Sequence, residues 1–538
     1  MGRESSGRRD FLRVASGFLA GGSLRSLGAG ARAVFASPQA AVGAGVSGFD
    51  VRKYGAQGDG KAIDSVAINK AIDAASAAGG GTVILPAGNY LSYSIHLKSN
   101  IGLYLDHGAT LIAADPAPAG QNGYDAAEPN QWDMYQDYGH SHFHNSLIWG
   151  EEIENISITG PGRIWGKGLS RGAGTDTPKA ENPGVANKSI ALKNCHNILL
   201  RDFQILHGGH FGLLATGADN MTIDNLKIDT NRDGLDIDCC HNVRVTNCSI
   251  NSPWDDALVP KASYALGTPR TTERLTISNC FVSGSFQEGT LLDGTMKLFE
   301  ANVRVPRTGR IKFGTESNGG FKNVTITNCV FDACQGLAFE TVDGALLEDF
   351  TVSNITMRDI VSAPIFMRLG SRMRGPKDLQ IGALRRVEVS GIVCSNSVSR
   401  LGSIIAGIPN HPIEDLTLSD IHVWHQGGGT KEAAAIVVPE DEDKYPEPGM
   451  FGGMPSHGFF VRHVKNVEMR NIEIRAAQTD QRPAFVLDDV QGANFVNVRA
   501  DQASGVPAFS LKNVEDFSVH SSQPTPDTHL EKTAQQSV

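Results

Sequence analysis

The sequence predicts a right-handed parallel β-helix, and three observations carry that prediction. The first is a recurring phrase in which polar and apolar residues alternate and two polar residues then precede a further apolar one. It reads Asn242-Val243-Arg244-Val245-Thr246-Asn247-Cys248 in one copy, and Arg274-Leu275-Thr276-Ile277-Ser278-Asn279-Cys280 and Asn323-Val324-Thr325-Ile326-Thr327-Asn328-Cys329 in others. The second is spacing: the copies starting at Asn197, Asn220 and Asn242 lie 23 and 22 residues apart. The third is composition. The chain has 60 glycines in 538 residues, above the usual ~7%, with 40% hydrophobic and 20% charged residues, as a turn-rich globular chain would. Alternation means strands with one buried face. Strands this short cannot bury that face alone, so successive copies must stack.

Taken in order, the elements begin with an address. Arg8-Arg9-Asp10-Phe11-Leu12-Arg13 precede a weakly hydrophobic, Gly- and Ala-rich stretch over residues 14–31 and a small-residue run ending at Ala36. This resembles a twin-arginine export signal. It implies a signal over residues 1–40, passage through the twin-arginine machinery, and a mature protein in the periplasm or secreted. No later stretch offers ~18 uninterrupted apolar residues, so no membrane span is expected after signal removal.

A helix follows over residues 65–78, with Ile68, Ala71, Ile72 and Ala75 on one face, Asp64 as its N-cap and Gly79-Gly80-Gly81 as its stop. A solenoid needs its open end covered, and this helix is placed to do so. The catalytic solenoid is expected to span residues 45–520. Looser copies of the phrase start at Asn155, Asp349, Arg386, Asp415, Asn466 and Asp516, and wider gaps hold inserted loops. The repeated asparagines are expected to stack as side-chain ladders at the turns. Cys248, Cys280 and Cys329 should form an inward column of thiols rather than disulfides. The polar, Pro-containing segment over residues 521–538 reads as a disordered tail.

Residues about 22 apart become vertical neighbours on one face of such a solenoid. Asn231-Arg232-Asp233-Gly234-Leu235-Asp236-Ile237-Asp238 carries three acids, and Pro253-Trp254-Asp255-Asp256 two more, with Asp233 and Asp255 22 residues apart. Carboxylates so stacked repel one another when ionised, so one should hold its proton while another stays a base. That is the equipment of a glycosidase.

At these residues the chain resembles glycoside hydrolase family 28, the polygalacturonases, on a pectin-lyase-like solenoid. The family pattern is Asn-Thr-Asp, then Asp-Asp about one coil later, then Gly-His-Gly, then Arg-Ile-Lys. Here the matching residues are Asn231-Arg232-Asp233, Asp255-Asp256 and Arg310-Ile311-Lys312. The resemblance implies Asp255 as general acid, Asp233 and Asp256 as the groups activating water, and inversion with ~6.5–9.5 Å between acid and base. It also implies that Arg310 and Lys312 hold a uronate carboxylate, with no metal or cofactor.

The chain departs from the pattern at several points. Arg232 stands where the family has Thr, and Ser252-Pro253-Trp254 adds a residue before the acid pair. No Gly-His-Gly occurs, Glu288 lying nearest that histidine's place. An alternative register would put Ala338-Phe339-Glu340 where Arg-Ile-Lys is read. Lys261 and His210 complete the expected substrate-binding set, although His207-Gly208-Gly209-His210 reads equally as a surface turn. Glu316 and Glu340 are candidates to reach the cleft. Asp236 and Asp238 could hold calcium or bond to turn amides. Trp132, Trp149, Trp165 and Trp254, and the aromatic run from Tyr445 through Met450, Phe451, His457, Phe459 and Phe460, are sugar platforms, a lid, or packing. Insertions over residues 115–145 and 284–309 are placed to close one end of the groove, which would favour exo action.

The balance of 48 Lys and Arg against 58 Asp and Glu, a net charge of −10, argues against nucleic acid as a partner. A polysaccharide or oligosaccharide is the expected partner. The competing readings are a calcium-dependent polysaccharide lyase on the same fold and a noncatalytic glycan-binding solenoid.

Overall fold

A computed structural model describes residues 48–118, 121–172 and 180–538; the expected export signal lies outside them. The repeated phrase builds a parallel β-helix. One inward column can be followed through register pairs for most of its length: Ile156, Ile198, Met221, Val243, Leu275, Val324, Phe350, Val387, Leu416, Val467, Ala493 and Phe517. Every member is buried. Removing such a column from water is what stabilises stacked coils, at roughly 25 cal/mol per Å² of apolar surface.

The corners explain the first residue of each phrase. Each of the eleven starts read from sequence, from Asn155 to Asp516, has left-handed backbone with φ between 50° and 62°. Asn and Asp tolerate that conformation better than most side chains. A second left-handed corner falls five residues later, at Asp202, Asn225, Asn247, Asn279, Asn328 and Asn354. The corner amides stack as expected: Asn220 Nδ2 donates to Asn197 Oδ1 at 2.7 Å, which in turn donates to Asn155 at 2.9 Å, while Asn247, Asn279, Asn328 and Asn354 form the second ladder. One coil escaped the sequence reading because glycine opens it: Gly492, φ 72°, starts the phrase that ends at Asn497. The eight cysteines are all free and buried, and the thiols of Cys248, Cys280 and Cys329 donate to backbone carbonyls at 3.3 Å.

The helix Ser65–Ala77 caps the first coil with Ala67, Ile68, Ala71, Ile72 and Ala75 buried. Asp64 does not cap it through its side chain. Its carboxylate instead accepts from the amides of Gln57 and Gly58 at 2.7 and 3.0 Å, fixing the preceding loop. At the other end the expected disordered tail is a strand. Thr528–Ser537 pairs antiparallel with Phe509–His520, and Leu530 and Val538 pack on the core. The last coil of a solenoid is an open sheet edge, and a charged polar strand is a suitable cover for it. Polarity was therefore the mark of a cap, not of disorder. No helix among the described residues is long and apolar enough to cross a membrane.

Three long segments cover outward-facing side chains of the coils. Residues 121–146 lay Phe143 on Ala191, Phe211 and Leu214. Residues 428–458 lay Val438, Phe451 and Met454 on Ala338, Phe366, Ile404 and Phe460. Two buried arginines clamp this second cover, Arg368 donating to the carbonyls of Glu440 and Asp441 and Arg462 to those of Val438 and Pro439. Residues 284–309 form a third wall, in which Phe299 meets Trp254 edge to face at 5.5 Å. Between these covers lie the strands that carry the acids.

Deleting residues 525–538 exposes the last coil's edge. The truncated protein is expected to melt at a lower temperature and to self-associate with rising concentration on size-exclusion chromatography, whereas an unchanged melt and elution would show that the strand is not a cap.

Candidate active site

The strand Asp233–Asp238 pairs on one side with Phe211–Thr216 and on the other with Leu258–Lys261. Leu235 and Ile237 point into the core, which turns Asp236 and Asp238 outward. One coil later the turn before Leu258 is tied down to its neighbour: Trp254 N donates to Asn231 O at 3.0 Å, Ser252 Oγ to Arg232 O at 2.6 Å, and Asp256 N to Asp233 Oδ1 at 3.3 Å. The 22-residue spacing thus brings Asp233, Asp255 and Asp256 together, each offering an oxygen within 4.8 Å of the others'. This is tighter than the separation the inverting expectation requires.

The three carboxyls sit in different fields. Burial pushes Asp233 well above the usual carboxylate range, and the charges of Asp255 and Asp236 push it further. Burial acts on Asp256 too, but Arg310 Nε at 2.8 Å and Lys312 Nζ at 3.4 Å outweigh it and hold Asp256 below its ordinary value. Asp255 is the member that reaches solvent, its side chain 26% exposed and paired with Arg232 Nη2 at 3.0 Å. Of the three, Asp233 is therefore the one on which a proton is favoured and Asp256 the one on which negative charge is favoured.

Arg310 and Lys312 point outward beside Asp256, with Ile311 inward and bridged to Leu258. Ala338-Phe339-Glu340 occupies the next coil, so the two registers read from sequence are successive layers. Neither cation is presented to a ligand. Arg310 is 1% exposed and donates to Asp256, to Gln335 at 2.8 Å and to Glu447 at 2.6 Å. Lys312 is 4% exposed and lies within 4 Å of Asp256, Glu340 and Glu447, beneath the ring of Tyr445. Glu447 and Tyr445 come from the 428–458 cover, so that cover fills the place expected for a uronate carboxylate. Glu340, buried beside Lys312 with no hydrogen-bond donor, is pushed up to about 8 by burial, which the two cations only partly offset.

The other expected binding residues are mostly internal. Lys261 is buried against Glu316 at 3.1 Å, in a network that continues through Arg374 to Asp137. Burial alone would lower Lys261, but Glu316 and Asp236 raise it well above its ordinary value, so it is a fixed cation beneath the surface. His210 is buried too. Its Nδ1 faces Arg171 O at 2.9 Å and its Nε2 faces Arg232 Nη2 at 3.4 Å, and burial together with Arg232 keeps it neutral. These two residues brace the site from behind instead of lining it. Glu288 does line the pocket, held by His207 at 2.7 Å and Arg171 at 3.1 Å.

That pocket, about 580 Å³, opens beside Asp255 and is walled by Arg171, Asn231, Arg232, Trp254, Gln287, Glu288 and Phe299. Of the four tryptophans considered as platforms, Trp254 is the one that lines it. Sequence reasoning missed Arg171, Phe299 and Glu447. Each comes from a loop with no repeat to place it.

As to metals, Asp238 is saturated by Ser263 N and Oγ and by Thr216 Oγ1, which removes the Asp236–Asp238 pairing as a calcium site. His140, Asp233 and Asp236 do bring ligand atoms within 4.8 Å of one another, with His140 Nε2 facing Asp236 Oδ2 at 3.4 Å. Lys261 supplies positive charge to this group.

The fold is a parallel β-helix of the pectin-lyase-like kind. Residues 48–252 match the family model described as rhamnogalacturonase A/epimerase, pectate lyase-like. The chain is 23% identical over 406 residues to a probable polygalacturonase of Vitis vinifera, covering 69% of this chain and 73% of that protein. It is 25% identical over 259 residues to an exo-poly-alpha-D-galacturonosidase of Dickeya chrysanthemi, covering 39% and 41%. Among solved structures, a hyperthermoactive exopolygalacturonase from Thermotoga maritima superposes with a TM-score of 0.55 at 17% identity, over 90% of this chain and 95% of that one.

Two outcomes follow from the buried charges. Arg310→Ala leaves Asp256 and Glu447 with Lys312 as their remaining cation, removes their hydrogen-bonded partner, and is expected to lower stability by about 3–5 kcal/mol in denaturant titration. The second concerns Glu340, whose folded pKa is raised above the unfolded value. Between roughly pH 4.5 and 8 the folded state binds the proton and the unfolded state does not, so this group makes stability fall as pH rises. Glu340→Gln should therefore gain on the wild type from pH 5 to pH 8 in paired melts; a constant difference would contradict the assignment.

Proposed function

We propose that the protein hydrolyses glycosidic bonds in galacturonate-containing pectic polysaccharide or its oligosaccharides. The observation that carries this reading is the division of Asp233, Asp255 and Asp256, within 4.8 Å of one another, into a member whose burial favours the proton, a member that reaches solvent and a member that Arg310 and Lys312 hold as an anion. Relatives named polygalacturonase and exo-poly-alpha-D-galacturonosidase support the substrate class.

In this reading Asp255 delivers a proton to the leaving oxygen, because it alone of the three reaches solvent. Asp233 holds the proton in reserve beside it. Asp256, fixed as an anion by Arg310 and Lys312, is the member able to accept a proton. Burial of the pair keeps their fields strong at the reacting atoms. The reading asks Asp255 for general acid catalysis, which contributes typically ~10²–10⁴-fold. The covers on both sides of the acids make a pocket of the groove, which supports action at chain ends. We also propose export by the twin-arginine route, since Arg8-Arg9 open the expected signal and the eight free thiols suit a protein folded before export.

Product analysis on polygalacturonate and rhamnogalacturonan tests the reaction. Saturated products are expected with chelator present, released one unit at a time, and Asp255→Asn should slow their appearance by about 10²-fold or more with an unchanged melting temperature. Unsaturated, chelator-sensitive products would assign a lyase instead, and binding without turnover a noncatalytic solenoid.

A further inference from the structure

The pattern that reads uronate in the family resemblance is closed here. Arg310 donates from all three of its nitrogens to Asp256, Gln335 and Glu447, and Lys312 lies beneath Tyr445. Two other arginines face the pocket beside Asp255. Arg171 has a 47% exposed side chain and pairs with the Glu288 carboxylate. Arg232 is 34% exposed and pairs with Asp255 at 3.0 Å, and its Nε has no partner. Between them Trp254, 37% exposed, is braced edge to face by Phe299. An exposed indole with a fixed orientation beside two cations is unusual for a surface that binds nothing, since large aromatic side chains are normally buried.

We propose that this pocket holds an acidic sugar, with Arg171 and Arg232 reading its carboxylate and Trp254 carrying its ring, and that binding draws Arg232 away from Asp255. The proposal rests on the hydrolase reading and specifies its recognition. The chemistry is competitive: a uronate and Asp255 are both carboxylates, and Arg232 has one exposed fork to give. Glu288 stays held by His207 when Arg171 turns to the ligand. Once Arg232 leaves, Asp255 stands uncompensated next to Asp233, and the proton on Asp233 can pass to Asp255 and on to the leaving oxygen. A neutral sugar offers no anion and leaves the Arg232–Asp255 pair closed. Acidic substrates would therefore be selected by unlocking the acid as well as by fitting the pocket. The large residue that replaces a small one at position 232 becomes the specificity device.

Calorimetry tests this without requiring turnover. Free galacturonic acid and galactose are titrated into the wild-type protein and into Arg171→Gln, Arg232→Gln and Arg232→Lys, with melting curves as the folding control. Galacturonic acid is expected to bind the wild type, to lose about 10- to 100-fold in affinity in each Gln variant, and to be partly retained by Arg232→Lys; galactose should bind weakly and equally to all. Undiminished binding of galacturonic acid to both Gln variants, binding of galactose as tight as that of the acid, or no binding of the acid to wild type would each overturn the proposal. If Arg232→Gln fails to fold, Arg171→Gln decides. Should the expected binding pattern appear in a protein that cleaves no pectic chain, the pocket stands and the hydrolase reading falls. Cleavage with unaltered binding in the variants sinks the pocket alone.

Discussion

The vertical register of the coils is the constraint on which the rest of the molecule depends. Each strand is too short to be stable alone, so its backbone groups must pair with the coil above and the coil below. That pairing holds equivalent residues about 4.8 Å apart. The left-handed corners keep it in step, because each fixes where one flat side ends and the next begins. Asn at a corner does two things: it accepts the backbone conformation, and its amide bonds to the same position in the next coil. Loops of very different length can leave the stack between corners without disturbing the register, as the 32 residues from Asn242 to Arg274 and the 49 from Arg274 to Asn323 show.

Register also makes the chemistry. A face that repeats its positions stacks like on like, and stacked acids are unfavourable unless something offsets them. Here three different solutions lie within a few residues. Burial favours the protonated form of Asp233, Asp256 is neutralised by Arg310 and Lys312, and Asp255 turns toward water and Arg232. Lys261 and Glu316 compensate one another a layer further on. The covers over residues 121–146 and 428–458 deepen these effects by removing solvent from the face. They also add charges of their own, with Glu447 on Arg310 and Asp137 on Arg374.

What the sequence disclosed divides along the same line. Features that repeat were legible: the corners, the inward column, the cysteine column and the stacking of Asp233 with Asp255 and Asp256. So was the cap helix, whose apolar face follows a local period. Features made by long-range closure were not. Glu447 reaches Arg310 across 137 residues and Arg171 reaches Glu288 across 117, and no local pattern announces either contact. The terminal strand was misread because polarity alone does not distinguish an edge cover from a free tail. Lys261 and His210 were placed on the correct face, but the depth at which the covers bury them depends on segments the repeat does not describe. Gly492 hid a coil because the corner there is made by the absence of a side chain.

The central claim is electrostatic: within the acid cluster a proton is favoured on Asp233 and negative charge on Asp256. Difference infrared spectroscopy of the resting protein reads this directly, comparing wild type with Asp233→Asn and with Asp256→Asn. The account predicts that Asp233→Asn removes intensity from the protonated-carboxyl band at neutral pH while Asp256→Asn removes intensity from the carboxylate bands. Loss of protonated-carboxyl intensity on removing Asp256, with none on removing Asp233, would contradict it.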